Sequence, residues 1–168
     1  MSRGFVREGD QEELPMVPKR AYLPEGVANF VTREGMDLLL KEKEELISER
    51  EDLDEANENE NEKRIAKNFL NAKLQLLNER IADARVVEIT GQPPDEIAFG
   101  ATVTVRSSVA GNIQTFRIVG VDEADISKGK ISFISPLAKV LINKKAGDRV
   151  KLKRDKEDIV FEIIEIVY

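Results

Sequence analysis

Apolar positions in this chain follow two different periods. From Thr32 to Val86 the spacing is helical. Met36, Leu39, Leu46 and Leu53 form one stripe, with Leu40 and Ile47 beside it. Lys43 and Arg50 interrupt the stripe, but their aliphatic stems can still cover a partner helix. Thr32 supplies an N-cap, and Glu34 and Asp37 put negative charge in the first turn. Leu70, Leu74, Leu77, Ile81 and Ala84 then recur at the alternating spacing of a coiled-coil seam. Two such helices joined by a polar stretch predict an antiparallel hairpin.

Beyond Val86 the period changes. "TGQPPDE" (90–96) is a Gly- and Pro-rich linker. Strand-like runs follow at 101–107, 113–120, 130–134, 149–154 and 159–167, with turn signals at Gly111-Asn112 and Gly147-Asp148. "SPLAKVLIN" (135–143) predicts one short helix, with Ser135 as N-cap and Pro136 at the first helical position. At the other end, Pro15, Pro18 and Pro24 forbid a continuous helix before Gly26. The expected class is α+β. It has a flexible arm over 1–30, an antiparallel coiled-coil hairpin over 31–89, and an antiparallel sheet domain with one short helix over 96–168.

Composition narrows the chemistry. The 168 residues include no cysteine and no histidine. Disulfides, thiolate nucleophiles, Cys/His zinc sites and a histidine base are therefore excluded. Carboxylates remain as metal ligands, and they suit Mg²⁺ or Mn²⁺. A net charge of −6 does not favour nonspecific duplex binding. No run reaches the length of a membrane span, which predicts a soluble cytoplasmic protein without membrane partners.

The charge concentrates where the two helices must join. Eight of the fourteen residues from Glu49 to Glu62 are carboxylates. One reading is a solvated turn, and the other is a working tip. The midpoint of 32 and 86 places the bend near Asn57–Asn61.

Several motifs occur in an order that resembles one family. These are "VTREG" (31–35), "ERIADARVVE" (79–88), "FGATVTV" (99–105), "RIVGVDEAD" (117–125), "ISFISPLAKVL" (131–141), "GDRVKLK" (147–153) and "EIIEIVY" (162–168). Together they resemble the bacterial Gre transcript-cleavage and elongation factors (GreA/GreB). The resemblance implies an FKBP-like C-terminal domain that docks beside the secondary channel of RNA polymerase. It implies a coiled coil that enters the channel, where tip carboxylates share Mg²⁺ with the polymerase active site while backtracked RNA is cleaved. The factor has no catalysis or cofactor of its own in this picture. Its partners are RNA polymerase and nascent RNA, and it is expected to be a monomer.

The family tip reads D-L-x-E-N-A-E-Y, against D-L-D-E-A-N-E-N at 52–59. The match assigns metal-holding roles to Asp52 and Glu55, with Asp54, Glu58, Glu60 and Glu62 around them. Lys63, Arg64 and Lys67 become RNA-proximal, although with Lys73 and Arg80 they also fit a salt-bridged helix face. Ile134, Ser135 and Pro136 become docking residues. Asp122, Glu123 and Asp125 form either a second docking loop or a polar turn between strands. The arms count as about 27 residues, ~40 Å, roughly 10 Å less than the usual hairpin of the family. A non-cleaving channel binder therefore stands as an alternative, as does a nucleotide-kinase-regulator-like interaction module.

Overall fold

The computed structural model describes residues 15–56 and 59–168. Residues 15–28 carry no regular secondary structure. Strand β1 (Asn29–Val31) leads into helix α1 (Arg33–Glu55), which is followed by α2 (Glu60–Asp83) and strand β2 (Ala84–Val86). Thr32 caps α1, its hydroxyl oxygen accepting from the Gly35 amide at 2.9 Å. Asn59 caps α2 by accepting from the Asn61 amide. The bend thus falls between Glu55 and Glu60.

The helical stripes meet as the spacing requires. Leu39 and Leu46 of α1 are buried against Leu70, Leu74 and Leu77 of α2, with Leu53, Ile47 and Ile81 half-buried around them. The arms are 23 and 24 residues long, shorter than counted from the sequence. They span about 35 Å each. On α1 the difference arises at the bend, after Glu55, and on α2 it arises at the base, where Ala84–Val86 become strand. There β1 and β2 pair in parallel, Asn29 with Ala84 and Val31 with Val86, and clasp the two ends of the hairpin. Three-residue strands carry too few positions for a period to register.

The C-terminal part is a five-stranded sheet. Its strands are β3 (Thr102–Ser107), β4 (Ile113–Val119), β5 (Lys130–Ser132), β6 (Arg149–Leu152) and β7 (Ile159–Val167), in the order β5-β4-β3-β7-β6. The expected all-antiparallel sheet is corrected here to a mixed one. β5 runs parallel to β4, with Arg117 opposite Lys130 and Val119 opposite Ser132. Instead of turning back in a hairpin, the chain leaves β4 at Gly120. It returns through a 3-10 turn at Ile126–Lys128 to pair beside the last three residues of the strand it left. A register shift between Thr104 and Val105 marks a bulge where β3 meets β7, the kind of irregularity that curves a sheet.

Helix α3 (Pro136–Leu141) packs on this sheet. Ala138 and Leu141 join Val103, Val105, Ile118, Ile131, Phe161 and Ile163 in its core. The last residue closes the domain: the Tyr168 hydroxyl donates to the Glu96 carbonyl at 2.5 Å and accepts from the Ala98 amide at 3.0 Å.

Candidate functional site: the hairpin tip and the joint below it

Asp52, Asp54 and Glu55 occupy the last turn of α1, and Glu60 and Glu62 the first turn of α2. Glu58 lies outside the described residues. The two sets differ electrostatically. A helix N-terminus favours negative charge, so Glu60 and Glu62 sit where the backbone stabilises them. Asp52, Asp54 and Glu55 crowd the negative end of α1, which has no basic residue in its last turn. Lys67 of α2 answers Asp54 across the hairpin and donates a hydrogen bond that holds its carboxyl below the usual range. Among the described residues, no ion pair reaches Asp52 or Glu55. The described part of the tip is therefore an exposed end rich in carboxylates. Among the described residues, no group of three carboxylates is placed to hold a metal alone.

The basic residues of α2 divide. Lys67 is used by Asp54, Lys73 lies over the Phe69 ring at 5.4 Å, and Arg80 belongs to the base. Arg64, exposed near the tip, donates to Asn61 at 3.0 Å. Lys63 is half-exposed beside it.

The other expected site residues lie at the opposite end of the molecule. Ser135 caps α3 by accepting from the Ala138 amide at 3.2 Å, which leaves Pro136 exposed and Ile134 half-buried. Asp122, Glu123 and Asp125 do not share one surface. Asp125 is half-buried and caps the 3-10 turn. It accepts from the Ser127 hydroxyl at 2.5 Å, which holds its carboxyl below the usual range. Ile126, 84% exposed, stands next to it.

Asp122 and Glu123 turn inward to a joint between hairpin and sheet. Glu123 is 7% exposed and accepts from the Thr32 hydroxyl at 2.5 Å and from Lys130 at 3.2 Å. Asp122 meets Arg20 at 3.1 Å and Arg80 at 3.2 Å. The Arg80 contact is an ion pair without hydrogen-bond alignment. Arg117 of β4 donates to Glu34 of α1 at 2.6 Å. Phe30 packs against Phe99 and Phe133, with centroids 6.1 and 5.7 Å away. Gly120 brings its backbone against the Phe30 carbonyl, and Gly35 faces the Glu123 carboxylate.

Sequence reasoning missed this joint. Apart from Lys130 with Glu123, its contacts join positions 22 to 103 apart, such as Arg20 with Glu42 and Phe30 with Phe133, and no local period records such pairs. The one local hint was Gly120 beside two acids in "RIVGVDEAD".

Known proteins resemble this chain over most of its length. The family model described as "Transcription elongation factor, GreA/GreB, C-term" matches residues 92–168. Transcription elongation factor GreA of Trichlorobacter lovleyi is 41% identical over 151 residues, covering 82% of this chain and 96% of the relative. The protein of the same name from Nitratidesulfovibrio vulgaris is 31% identical over 150 residues, covering 82% and 94%. A solved GreA/GreB structure from Nitrosomonas europaea covers 84% of this chain and 99% of its own, at 17% identity and a TM-score of 0.42. With a relative at 41% identity covered almost end to end, the chain belongs to the GreA/GreB family of transcription elongation factors, which are regulatory rather than catalytic proteins.

Proposed function

We propose that this protein binds RNA polymerase at its secondary channel and acts on paused or backtracked complexes. The hairpin enters the channel, and the sheet domain, which we read as FKBP-like, docks at the rim. The observation that carries this reading is the anionic tip at the far end of an arm about 35 Å long. Asp52 and Glu55 are the carboxylates free to approach Mg²⁺ held by the polymerase. Glu60 and Glu62 stand on the other arm, with Glu58 before them in the sequence, and Asp54 is already neutralised by Lys67. Hard oxygen donors suit that ion, and the tip needs further ligands from the polymerase to hold it. Asp52 and Glu55 would help hold a second metal there, which would supply activation of water and stabilisation of the leaving oxygen in phosphoryl transfer. Lys63 and Arg64 stand closest to nascent RNA. Ile134, Ser135, Pro136 and Asp125 form the docking face, while Asp122 and Glu123 serve the joint.

A second reading is a non-cleaving channel binder, and arm length favours it. The T. lovleyi alignment spans 151 positions but takes in only 82% of these 168 residues. About 13 positions of the relative thus lack a counterpart. We place them in the hairpin, where they shorten each arm by roughly 10 Å. Rotamers cannot absorb such a shortfall when metal–ligand distances tolerate about 0.2 Å.

RNA release from a stalled, backtracked complex of the cognate polymerase separates the two. Robust cleavage that disappears in Asp52→Ala/Glu55→Ala supports the first. Tight binding without cleavage supports the second. Failure to capture polymerase in a pull-down removes both and leaves a kinase-regulator-like interaction module.

A further inference from the structure

We propose that residues 15–28 form a strap that fixes the direction of the hairpin relative to the sheet domain. Arg20 is its pin and Arg80 its seat, and both are positioning residues for the tip. The strap has little structure of its own beyond a turn in which the Val27 amide reaches the Pro24 carbonyl at 3.2 Å. Two guanidiniums tie it down, the first its own Arg20. The two Arg20 Nη groups grip both Glu42 oxygens on α1, at 2.8 and 3.0 Å, while its Nε donates to Asp122 Oδ1 at 3.1 Å. A planar fork of five donors can serve two carboxylates at once, which a lysine ammonium on a single stem does poorly. Arg80 completes the seat from α2. Its Nε lies 3.2 Å from Asp122 Oδ2, and its Nη2 donates to the Ala21 carbonyl at 2.5 Å.

Four chain segments therefore converge on Asp122: the strap, α1 through Glu42, α2, and the loop after β4. The Asp122 side chain is 7% exposed and those of Arg20 and Arg80 are 19% and 13% exposed, so solvent screens these pairs less than surface ones. Leverage makes the pin matter. With an arm of about 35 Å, a tilt of about 10° at the base moves the tip by about 6 Å. The clasp and the aromatic contacts hold the base together, and the strap adds the link that ties α1 to the sheet-domain loop from outside the hairpin.

The absence of cysteine allows a direct test on the protein alone. Ile65→Cys, on α2 near the tip, and Ile113→Cys, at the start of β4, are both 59% exposed and take spin labels. Their distance distribution, read by pulsed electron resonance, is narrow in the parent. It becomes about twofold broader in Arg20→Ala. Glu42→Gln broadens it to the same extent, and the double variant no further, because both cut one link. Arg20→Lys recovers part of the sharpness, and Lys41→Ala, on the exposed face, changes nothing. If Arg20→Ala fails to fold, Glu42→Gln carries the test. The measurement contains no polymerase, so its outcome is separable from that of the cleavage assay. A distribution as narrow as the parent's in a folded Arg20→Ala or Glu42→Gln protein would overturn the strap.

Discussion

Gly120→Ala tests the joint most directly. Gly120 does not need a left-handed backbone, so alanine adds only a methyl group and no strain in φ. The new Cβ would stand 2.6 Å from the Phe30 carbonyl oxygen, with Val31 Cα and Cγ1 at 3.5 Å. Ordinary contact begins near 3.4 Å, so backbone must retreat from backbone by about 0.8 Å. That motion carries Phe30 away from Phe99 and Phe133, in contacts worth about 0.5–1.5 kcal/mol per pair. Overpacking of this kind costs typically 1–3 kcal/mol, and partial loss of the ring contacts brings the expectation to about 2–4 kcal/mol. Urea denaturation followed by far-UV circular dichroism measures it, and the melting point falls by about 2–4 °C for each kcal/mol.

Gly35→Ala supplies the companion. In an open helix that change stabilises by about 0.8–1.0 kcal/mol. Here the Cβ would meet Glu123 Oε2 at 2.7 Å and Thr32 Oγ1 at 3.3 Å, so the sign reverses. The double variant costs less than the sum, because one opening of the joint relieves both clashes. A Gly120→Ala protein within about 0.5 kcal/mol of the parent, or a stabilised Gly35→Ala, refutes the reasoning that hairpin and sheet press together at these points.

Two further outcomes follow from the same contacts. Thr32→Val removes both the acceptor for the Gly35 amide and the donor to buried Glu123, and should cost about 2–4 kcal/mol in urea denaturation, whereas Thr32→Ser should stay within about 1 kcal/mol. The hydrogen bond from Arg20, against an opposing effect of burial, holds the Glu42 carboxyl below its ordinary 4.5; Lys73 adds to the lowering. A depressed carboxyl stabilises the fold above its unfolded value and loses that contribution as pH falls through the folded one. The stability gap between parent and Arg20→Ala is therefore constant above pH 4.5 and narrows below it. A gap unchanged at about pH 3 would mean that Glu42 does not sense Arg20.

What the sequence by itself determined were the features with a local cause. The Leu70–Leu74–Leu77 seam requires a helix with one buried face, and those three leucines are buried. The alternation of Val103 and Val105 with Thr102, Thr104 and Arg106 requires a strand, and the two valines lie in the core. Ser135-Pro136 required a helix start, and the cap is there. The acidic run at 49–62 fell at the bend because helical stripes flank it on both sides.

Tertiary structure decided what depends on contact between distant segments. The direction of β5 was fixed by where the loop after β4 returned, not by the alternation within Lys130–Ser132. The clasp of β1 on β2 joins positions 55 apart in three-residue strands, too short to show a period. The separation of Asp122 and Glu123 from Asp125 was likewise illegible, since three acids within four residues read alike until Arg20, Thr32, Arg80 and Lys130 arrive from elsewhere. Periodicity records which side of an element is buried. It does not record which partner buries it, and in this protein the partners form the joint that carries the tip.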